Sequence, residues 1–408
     1  MRAMCNSTDS MKIIRAYKTE LSPNNKQRTI FRKCTGASRY VYNWGLAEWK
    51  QQYEEGEKPS RFKLCKQFNA QKDELCPWIR ELPYAVTESS FVNLGAAFQN
   101  FFRRVRNGND EVGYPKFKGK KNPKQSFQLR DVKAESDRVY LPRIGWVRLK
   151  ERNYIPIKSV KYGIYATISC RAGRWFISIQ VEEAVPQLQN DNTFSLGVDF
   201  GIKSLAVCSD GTVFENPHAL QKEERKLARL QRELSRRKKG GQNWKKTKAK
   251  IQCCHARIAN IRKHALHQVS HYVTAKTKPK TIVLEDLSVS GMLQNRHLSK
   301  AISDVGWAEL RRQIEYKAQW YGSEVLIADR FYPSSKTCSA CGTVKPLLKL
   351  SERIFICGAC GAVIDRDRNA AMNLAALGEG GSTAGLPAEL VPLGATVKQE
   401  LSSGLQTA

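Results

Sequence analysis

Three acidic side chains occupy positions at which a carboxylate carries an energetic cost. Asp199 lies inside the apolar segment 196–202 (LGVDFGI), and Glu285 lies near the end of the apolar segment 279–286. Asp367 opens an alanine-rich segment that predicts a helix. Burying a carboxylate in an apolar strand is costly unless the group is paired or bound to a metal ion. The sequence therefore predicts that these acids hold a hard divalent cation such as Mg²⁺ or Mn²⁺.

One acid on a first strand, one on a later strand and one at a helix start form the pattern of RNase H-like nucleases. Two Mg²⁺ ions about 4 Å apart in such a site activate a water molecule and stabilise the leaving oxygen of a phosphodiester. The histidines fall mostly on one basic stretch and form no Ser/His/Asp or Cys/His grouping. Gly201 follows the first acid, and we expect its missing side chain to let a phosphate backbone approach. The pattern predicts phosphodiester hydrolysis.

Four cysteines between the second and third acids form two Cys-x-x-Cys pairs. Cys338 and Cys341 make the first pair, and Cys357 and Cys360 make the second. Two such knuckles at this separation predict a tetrahedral Cys₄ zinc ribbon, whereas the plainer alternative is four unrelated buried cysteines. The acids of 365–367 follow closely, so we expect the ribbon to be an insertion within a larger fold.

The chain of 408 residues is strongly basic. Lys and Arg number 68 against 38 Asp and Glu, so the formal net charge is +30. This excess is larger than solubility requires and predicts a polyphosphate partner, although a merely basic soluble protein is the alternative. No apolar run approaches the roughly 18 residues that a membrane span needs, and no secretory leader is recognisable. With its other cysteines scattered, the chain is predicted to be cytoplasmic, without a membrane partner.

Two basic segments are candidates for nucleic-acid contact. Segment 221–275 predicts a helical hairpin turned by Gly240 and Gly241, and segment 115–124 interleaves cations with an aromatic residue and chain breakers. For the hairpin we favour contact with a nucleic-acid duplex over a solvated charged face. For the loop, tracking of a nucleic-acid backbone and simple solvation are equally supported. The candidate residues are Lys116, Lys118, Lys120 and Lys121 in the loop, and Arg236, Arg237, Lys238, Lys239, Lys245 and Lys246 in the hairpin.

The remaining periodicities divide the chain into the elements that must position these groups. Residues 12–24 predict a strand followed by a turn, and apolar residues at three- and four-residue steps over 26–107 predict helices. Short strands between 139 and 181, with a hairpin turn at 171–174, predict a small antiparallel barrel that the helical block interrupts. The fold class is therefore α/β plus β-barrel. The tail, 377–408, is rich in Gly, Ala and Ser and predicts disorder.

Several motifs in combination resemble the TnpB family of transposon-encoded proteins. The resemblance covers the chain up to about residue 376. The matching stretches are 197–203 (GVDFGIK), 284–287 (LEDL), 331–342 (FYPSSKTCSACG) and 365–371 (DRDRNAA), with further similarity at 38–43, 114–117, 302–313 and 315–322.

This resemblance implies an RNA-guided DNA endonuclease encoded by an insertion sequence and related to type V CRISPR effectors. A guide, the omega RNA, pairs with target DNA beside a short transposon-adjacent motif, and a RuvC-type site cuts both strands in Mg²⁺. By the family's motifs, Asp199, Glu285 and Asp367 take the catalytic and metal-binding positions, and Asp365 is an accessory or capping residue. We expect a monomeric ribonucleoprotein in a prokaryotic cytoplasm, associated with the nucleoid during action.

The resemblance also implies a domain organisation. An RNase H-like (RuvC) nuclease domain carries the zinc ribbon, and a wedge-type β-barrel is interrupted by a helical recognition domain. We expect the wedge and recognition domains to read the flanking motif, with Tyr84, Thr87 and Glu88 as candidates, and the ribbon either to position the target or to serve as structure only. The implied boundaries are 1–25 and 108–190 for the wedge, 26–107 for recognition, 191–335 and 361–376 for the nuclease (basic hairpin 220–275), 336–360 for the ribbon and 377–408 for the tail.

Three other functions stay open. A small type V CRISPR-associated effector would share every motif and differ only in its neighbouring locus. An RNA-guided DNA binder that regulates without cleavage is disfavoured by the complete set of acids. A DNA-joining transposase could also use an RNase H-like acidic triad, although such enzymes usually lack a ribbon before the third acid.

Overall fold

The computed structural model divides the chain into two compact units, residues 12–184 and residues 185–408 with 1–11. The structure describes residues 10–108, 112–120, 125–156, 165–186, 192–349 and 352–380.

The first unit is built on a seven-stranded sheet with the order β2-β6-β7-β1-β5-β4-β3. Its end strands do not pair with each other within the described residues, so the sheet is open where the sequence predicted a barrel. One reason is the shortness of β3, since an edge of two residues cannot carry a closing ladder. The strands are β1 (Ser10–Ser22), β2 (Gln125–Leu129), β3 (Lys133–Ala134), β4 (Arg138–Leu141), β5 (Gly145–Leu149), β6 (Ala166–Arg171) and β7 (Arg174–Pro186).

Three helices stand between β1 and β2: α1 (Asn25–Glu54), α2 (Arg61–Leu75) and α3 (Tyr84–Arg106). Asn24 begins α1 with a capping box shared with Gln27, so backbone donors that the helix leaves unpaired are satisfied. Buried aromatic side chains, including Phe31, Phe68 and Phe91, fill the core of this unit. The helical prediction for 26–107 is confirmed.

The second unit has a five-stranded sheet with the order β10-β9-β8-β11-β12. The three strands β8, β11 and β12 run parallel, β9 pairs antiparallel with β8, and β10 pairs antiparallel with β9. Its central strands are apolar runs buried on both faces, as parallel strands covered by helices are. The strands are β8 (Ser195–Asp199), β9 (Ser204–Cys208), β10 (Val213–Glu215), β11 (Thr281–Glu285) and β12 (Glu324–Ala328).

The predicted basic hairpin forms as α4 (Ala219–Ser235) and α5 (Gln242–His271), turned at Gly240 and Gly241. A small core that includes Leu227, Cys254 and Ile258 joins its two helices. A π-helical turn at Tyr272–Lys276 follows α5. The remaining elements are α6 (Val289–Met292), α7 (Ser299–Val305), α8 (Trp307–Tyr321), the ribbon strands β13 (Ile354–Ile356) and β14 (Val363–Asp365), and α9 (Arg366–Gly378).

The last helix, α9, packs directly on β8. A Cβ atom added at Gly197 would lie 2.0 Å from the carbonyl oxygen of Ala371 and 2.5 Å from the amide nitrogen of Ala375. Only glycine lets the helix backbone approach the strand this closely. Of the helices in the described part of the chain, none is both long and apolar enough to span a membrane.

Candidate functional site

The strand register places two of the predicted acids at one edge of the second unit's sheet. Leu284 of β11 pairs with Val198 of β8 in parallel, so the next residues along the two strands are Glu285 and Asp199. Because parallel strands end at the same edge, both carboxylates belong to the carboxyl edge of the sheet, where α/β folds commonly place their sites.

The third acid reaches this edge through α9. Asp365 is the N-cap of the helix, and its carboxylate accepts hydrogen bonds from the backbone amides of Asp367 at 3.0 Å and Arg368 at 3.1 Å. This confirms Asp365 as a capping residue. Asp367 lies in the first turn, and the helix packs closely on β8 one turn further along, where Ala371 lies against Gly197.

Burial and nearby like charges raise the pKa of two of the three carboxylates, Asp199 and Glu285. The pKa of Asp199 lies well above its ordinary value, first because the group is buried and then because Glu285 and Asp367 carry like charge. Burial also raises the pKa of Glu285, and a hydrogen bond from Ser334 opposes this rise. A cation bound between buried acids that repel one another relieves this repulsion, and carboxylate oxygens are the ligands that hard cations prefer.

The acids are nevertheless less tightly gathered than the four cysteines. Among the described residues, the cysteines are the one group of three or more metal-binding side chains whose ligand atoms all lie within 4.8 Å of one another. The Arg366 guanidinium, 3.6 Å from the Asp367 carboxylate, lowers the pKa of Asp199 by its charge.

Asp286, the residue after Glu285, has a different environment. Its carboxylate accepts hydrogen bonds from Arg330 at 2.6 and 3.1 Å and from Arg311 at 3.4 Å. These ion pairs tie the end of β11 to α8 and to the segment that follows β12. These ion pairs could not be predicted from the sequence, because nothing in the spacing of three separate segments shows that they meet.

Ser334 contacts Glu285, and this contact also carries no signal in the spacing of the sequence. Its hydroxyl donates to the Oε1 atom of Glu285 at 2.6 Å. It lies in the segment that leads to the first zinc knuckle, and its position in the FYPSSKTC motif was the only available signal.

The predicted zinc ligands come together as expected for a ribbon. The Sγ atoms of Cys338 and Cys360 are 3.7 Å apart, and those of Cys341 and Cys357 are 3.5 Å apart. A tetrahedron with zinc–sulfur bonds of about 2.3 Å has edges of about 3.8 Å, so the four thiols fit one Zn²⁺ ion. The buried Phe355 forms the small ribbon core with Cys338 and Cys357.

Most of the predicted cationic residues in the hairpin face solvent. Arg236, Lys238, Lys239, Lys245 and Lys246 are exposed. The sixth, Arg237, is half-buried. It pairs with Glu233 and donates to the carbonyl of Asn243 at 2.7 Å, so it also holds the turn of the hairpin.

The loop residues differ from one another. Lys116 and Lys120 are exposed, whereas the Lys118 ammonium lies 3.7 Å from the centre of the Tyr42 ring. Burial lowers the pKa of Lys118, and Asn43 binds its backbone in both directions at 2.7 and 3.0 Å. Lys118 is therefore engaged in packing. Lys121 lies outside the described residues.

The candidate motif readers all lie in the first two turns of α3. Tyr84 is 54% exposed, and Glu88 stands 3.9 Å from Arg130. Thr87 is 6% exposed. Reading of a flanking motif by Tyr84, Thr87 and Glu88 stays a prediction.

Fold and site together define a mixed α/β protein with an acidic cluster at a sheet edge and a Cys₄ cluster that fits a zinc ribbon. Three family models match the chain: "Probable transposase" (OrfB_IS605) over residues 178–296, "Cas12f1-like, TNB domain" over 307–374 and "Helix-turn-helix domain" over 11–58. Over the last range the structure has β1 and the single helix α1.

Two curated relatives match along nearly their whole length. "Putative RNA-guided DNA endonuclease InsQ" of Escherichia coli K12 is 36% identical, over 97% of this chain and 99% of that protein. "Putative RNA-guided DNA endonuclease" of Streptomyces pristinaespiralis is 34% identical, over 91% of each. The chain therefore belongs to the TnpB (OrfB) family of insertion-sequence proteins, which confirms the resemblance seen in the motifs.

A solved structure shares the fold. The protein chain of the "Cas12f1-sgRNA-target DNA complex" superposes with a TM-score of 0.53 at 16% identity, over 86% of this chain and 83% of that one. Likeness at this identity shows the architecture alone.

Proposed function

We propose that this chain is an RNA-guided DNA endonuclease encoded by an insertion sequence. In this proposal an omega RNA pairs with target DNA next to a short transposon-adjacent motif, and the acid site cuts both strands. The observation that carries it is the meeting of Asp199, Glu285 and Asp367 at one sheet edge. It is supported by the 36% identity, over 97% of the chain, to a protein named as an RNA-guided DNA endonuclease.

Asp199, Glu285 and Asp367 would hold Mg²⁺ or Mn²⁺ in this site. Bound there, a pair of such ions activates water and stabilises the leaving oxygen of a phosphodiester. The chain's own residues set up the donor atoms: Ser334 orients the Glu285 carboxylate by its hydrogen bond, and Asp365 caps the helix that carries Asp367. The order and direction of β8 to β12 agree with a RuvC-type assignment of this sheet.

The proposed domains follow the implied boundaries, with one change. Residues 26–107 form the proposed recognition domain. The open sheet, with the rest of 1–25 and 108–190, takes the place of the wedge. The ribbon is proposed to bind one structural Zn²⁺. Helix α9 continues to Gly378, so its last two residues lie beyond the proposed start of the tail at 377. Residues 381–408 lie outside the described residues, and disorder there stays a prediction.

Guide RNA and double-stranded DNA are the proposed partners. The exposed cations of the hairpin and the net charge of +30 support them, because neutralising phosphate is the main source of affinity for nucleic acid. We propose a monomeric ribonucleoprotein acting on the prokaryotic nucleoid.

A small CRISPR-associated effector is the second candidate function. The match to a Cas12f1-like domain over 307–374 favours it, as does 28% identity to "CRISPR-associated endodeoxyribonuclease Cas12f1" of Sulfoacidibacillus thermotolerans over 50% of this chain. The neighbouring DNA distinguishes the two origins, since an effector requires an adjacent repeat array.

Cleavage of a plasmid library with randomised flanks tests the proposal. The protein is expressed with its downstream DNA and a reprogrammed guide, with Asp199→Ala in parallel. Glu215→Ala is the matched control, because this exposed acid ends β10 of the same sheet. We expect guide- and Mg²⁺-dependent double-strand breaks from the wild type and the control only. Guide-dependent binding without cutting would identify a regulator, and strand-joined products would identify a transposase.

A further inference from the structure

Two asparagines of α9 are buried and hydrogen-bonded through their side chains. Asn369 is 0% exposed and Asn373 is 5% exposed. A buried amide is costly unless its donors and acceptors are used, so the partners of these side chains show what they do. The two residues stand four positions apart and therefore lie on one face of the helix.

Both asparagines hold the same short segment, residues 334–339. The Nδ2 atom of Asn369 donates to the carbonyl of Thr337 at 2.6 Å, and its Oδ1 atom accepts from the amide of Ser339 at 2.9 Å. The Nδ2 atom of Asn373 donates to the carbonyls of Ser334 and Thr337, both at 2.7 Å.

This segment joins the two metal sites. At its start, the Ser334 hydroxyl donates to Glu285 at 2.6 Å. Near its end, Cys338 is the first zinc ligand, and its backbone closes the knuckle by bonds with Thr343 and Gly342, both at 2.9 Å. Helix α9, which grips the segment, also carries Asp367. The acid site and the zinc site are thus separated by a few residues whose backbone is held at both ends.

We propose that Ser334, Asn369 and Asn373 are positioning residues that couple zinc binding in the ribbon to the arrangement of Glu285 and Asp367. When the first knuckle is closed on zinc, the carbonyls of residues 334 and 337 face the two amides, and the Ser334 hydroxyl is aimed at Glu285. When the knuckle opens, the segment loosens and Glu285 loses its fixed orientation. The inference rests on the proposed function of the acid site, and it replaces a purely structural role for the ribbon.

Binding of Mn²⁺ to the zinc-loaded full-length chain, followed by electron paramagnetic resonance, tests the coupling without reference to cleavage. The variants are Ser334→Ala and Asn373→Asp, which removes the amide donors and keeps the shape of the side chain. Ser339→Ala is the matched control, because this hydroxyl lies in the same segment and its contact is with the Met372 sulfur at 3.9 Å. Asp199→Ala removes one carboxylate of the acid site, so the Mn²⁺ binding that this variant loses is the binding at that site.

We expect Ser334→Ala and Asn373→Asp to weaken acid-dependent Mn²⁺ binding about tenfold, as the loss of partners that orient metal ligands commonly does. Ser339→Ala should stay at the wild-type affinity, Ser334→Thr should restore binding, and zinc content should be unchanged in all four. Cys360→Ser, which removes one zinc ligand, should weaken Mn²⁺ binding to a similar extent. In that background Ser334→Ala should add less than twofold, because coupled residues are not additive.

Hydrogen exchange of the backbone gives a second readout. Loss of zinc should speed exchange at 281–286 and at the first turn of α9, while the hairpin is unaffected. Wild-type affinity in Ser334→Ala, or an equal loss in Ser339→Ala, would overturn the coupling and leave the nuclease site standing. If Asp199→Ala binds Mn²⁺ as the wild type does, the acid site is not a metal site, and the proposed function fails together with this inference.

Discussion

Asp199 illustrates how a buried carboxylate in the proposed active site weakens the fold that carries it. Its raised pKa means that the folded chain binds a proton more tightly there than the unfolded chain does. Between the ordinary value of 3.8 and the raised value, the folded state therefore holds more protons, and stability falls as the pH rises. A bound cation removes this penalty near neutral pH.

Asp199→Asn should consequently raise the free energy of unfolding of the metal-free chain by about 1 kcal/mol at neutral pH. It should also flatten the decline in stability above pH 4 and abolish cleavage. Thermal unfolding over a range of pH measures the effect, with Glu215→Gln as the control. A variant less stable than the wild type at pH 7 would contradict the argument.

Burial of Lys317 also lowers the stability of the fold, but here stability depends on pH in the opposite direction. Burial lowers its pKa from 10.5 to about 8, and its ammonium donates to the Ser270 hydroxyl at 2.7 Å. Because the unfolded chain binds more protons between pH 8 and 10.5, this group makes stability rise with pH across that window. Its ammonium also donates to the carbonyl of His267 at 3.4 Å, and burial lowers the pKa of that imidazole to about 4.

Lys317→Met should stabilise the chain by roughly 2 kcal/mol at pH 7, because it keeps the buried stem and removes the charge. The gain should shrink to about a quarter of this value near pH 10 and vanish above about pH 11. Urea unfolding at several pH values measures this, and Lys300→Met, an exposed residue paired with Glu224, is the control. An equal gain at pH 7 and pH 10 would rule out the charge as its cause.

At the scale of elements, the fit between α9 and β8 decides whether the acids meet. Gly197→Ala would place a methyl group 2.0 Å from the Ala371 carbonyl oxygen, so the helix must move. We expect a loss of at least about 3 kcal/mol in the free energy of unfolding and no cleavage.

Gly36→Ala is the control for that substitution. The added Cβ atom meets nothing within 4 Å, and the residue lies inside α1. Alanine should therefore stabilise this helix by up to about 1 kcal/mol. Similar stability losses in the two variants, measured by chemical unfolding, would show that close packing at Gly197 is not what matters.

Local patterns predicted the elements well. The strands near Asp199 and Glu285, the hairpin turn at 171–174 and the basic helical hairpin all stand where hydrophobic periodicity and turn residues placed them. Contacts between distant segments could not be predicted in the same way. Ser334 reaches Glu285 across 49 positions, and a hydroxyl on a loop carries no periodic signal.

Glycine provides a second example of this limit. Gly201 was expected to make room for a phosphate backbone, but a Cβ atom there would lie 2.8 Å from the carbonyl oxygen of Ser204. The chain's own turn requires the glycine. A sequence shows that a position lacks a side chain, and the structure is needed to show what occupies the space.

At the scale of the whole molecule, the sequence could predict strands and their approximate number, but not whether a sheet closes. Alternation of apolar and polar residues is the same in an open sheet and in a barrel. Closure depends on pairing between the edge strands, and here one edge is the two-residue strand β3. This is why the predicted barrel is replaced by an open sheet in the described residues.

The net charge of +30 also acts at this scale, and the hairpin cations should contribute through phosphate contacts. Replacing Arg236, Lys238, Lys239, Lys245 and Lys246 by Gln should weaken guide-RNA binding and reduce the slope of log affinity against log salt by about 1 per lost contact. Filter binding at several salt concentrations measures the slope. Lys118→Gln should leave the slope unchanged because Lys118 packs on Tyr42. An unchanged slope in the hairpin variant would show that these five cations do not contact the phosphates of the guide RNA.

Asp365 belongs to two elements at once, since it ends β14 opposite Ile354 and also caps α9. The ribbon is therefore not a module that can be exchanged freely among relatives. Natural recombination, or a designer grafting a foreign ribbon, must keep the chain between the last knuckle and α9 at fixed length, or the helix begins in the wrong place. Length variation among homologues should accordingly collect between the two knuckles.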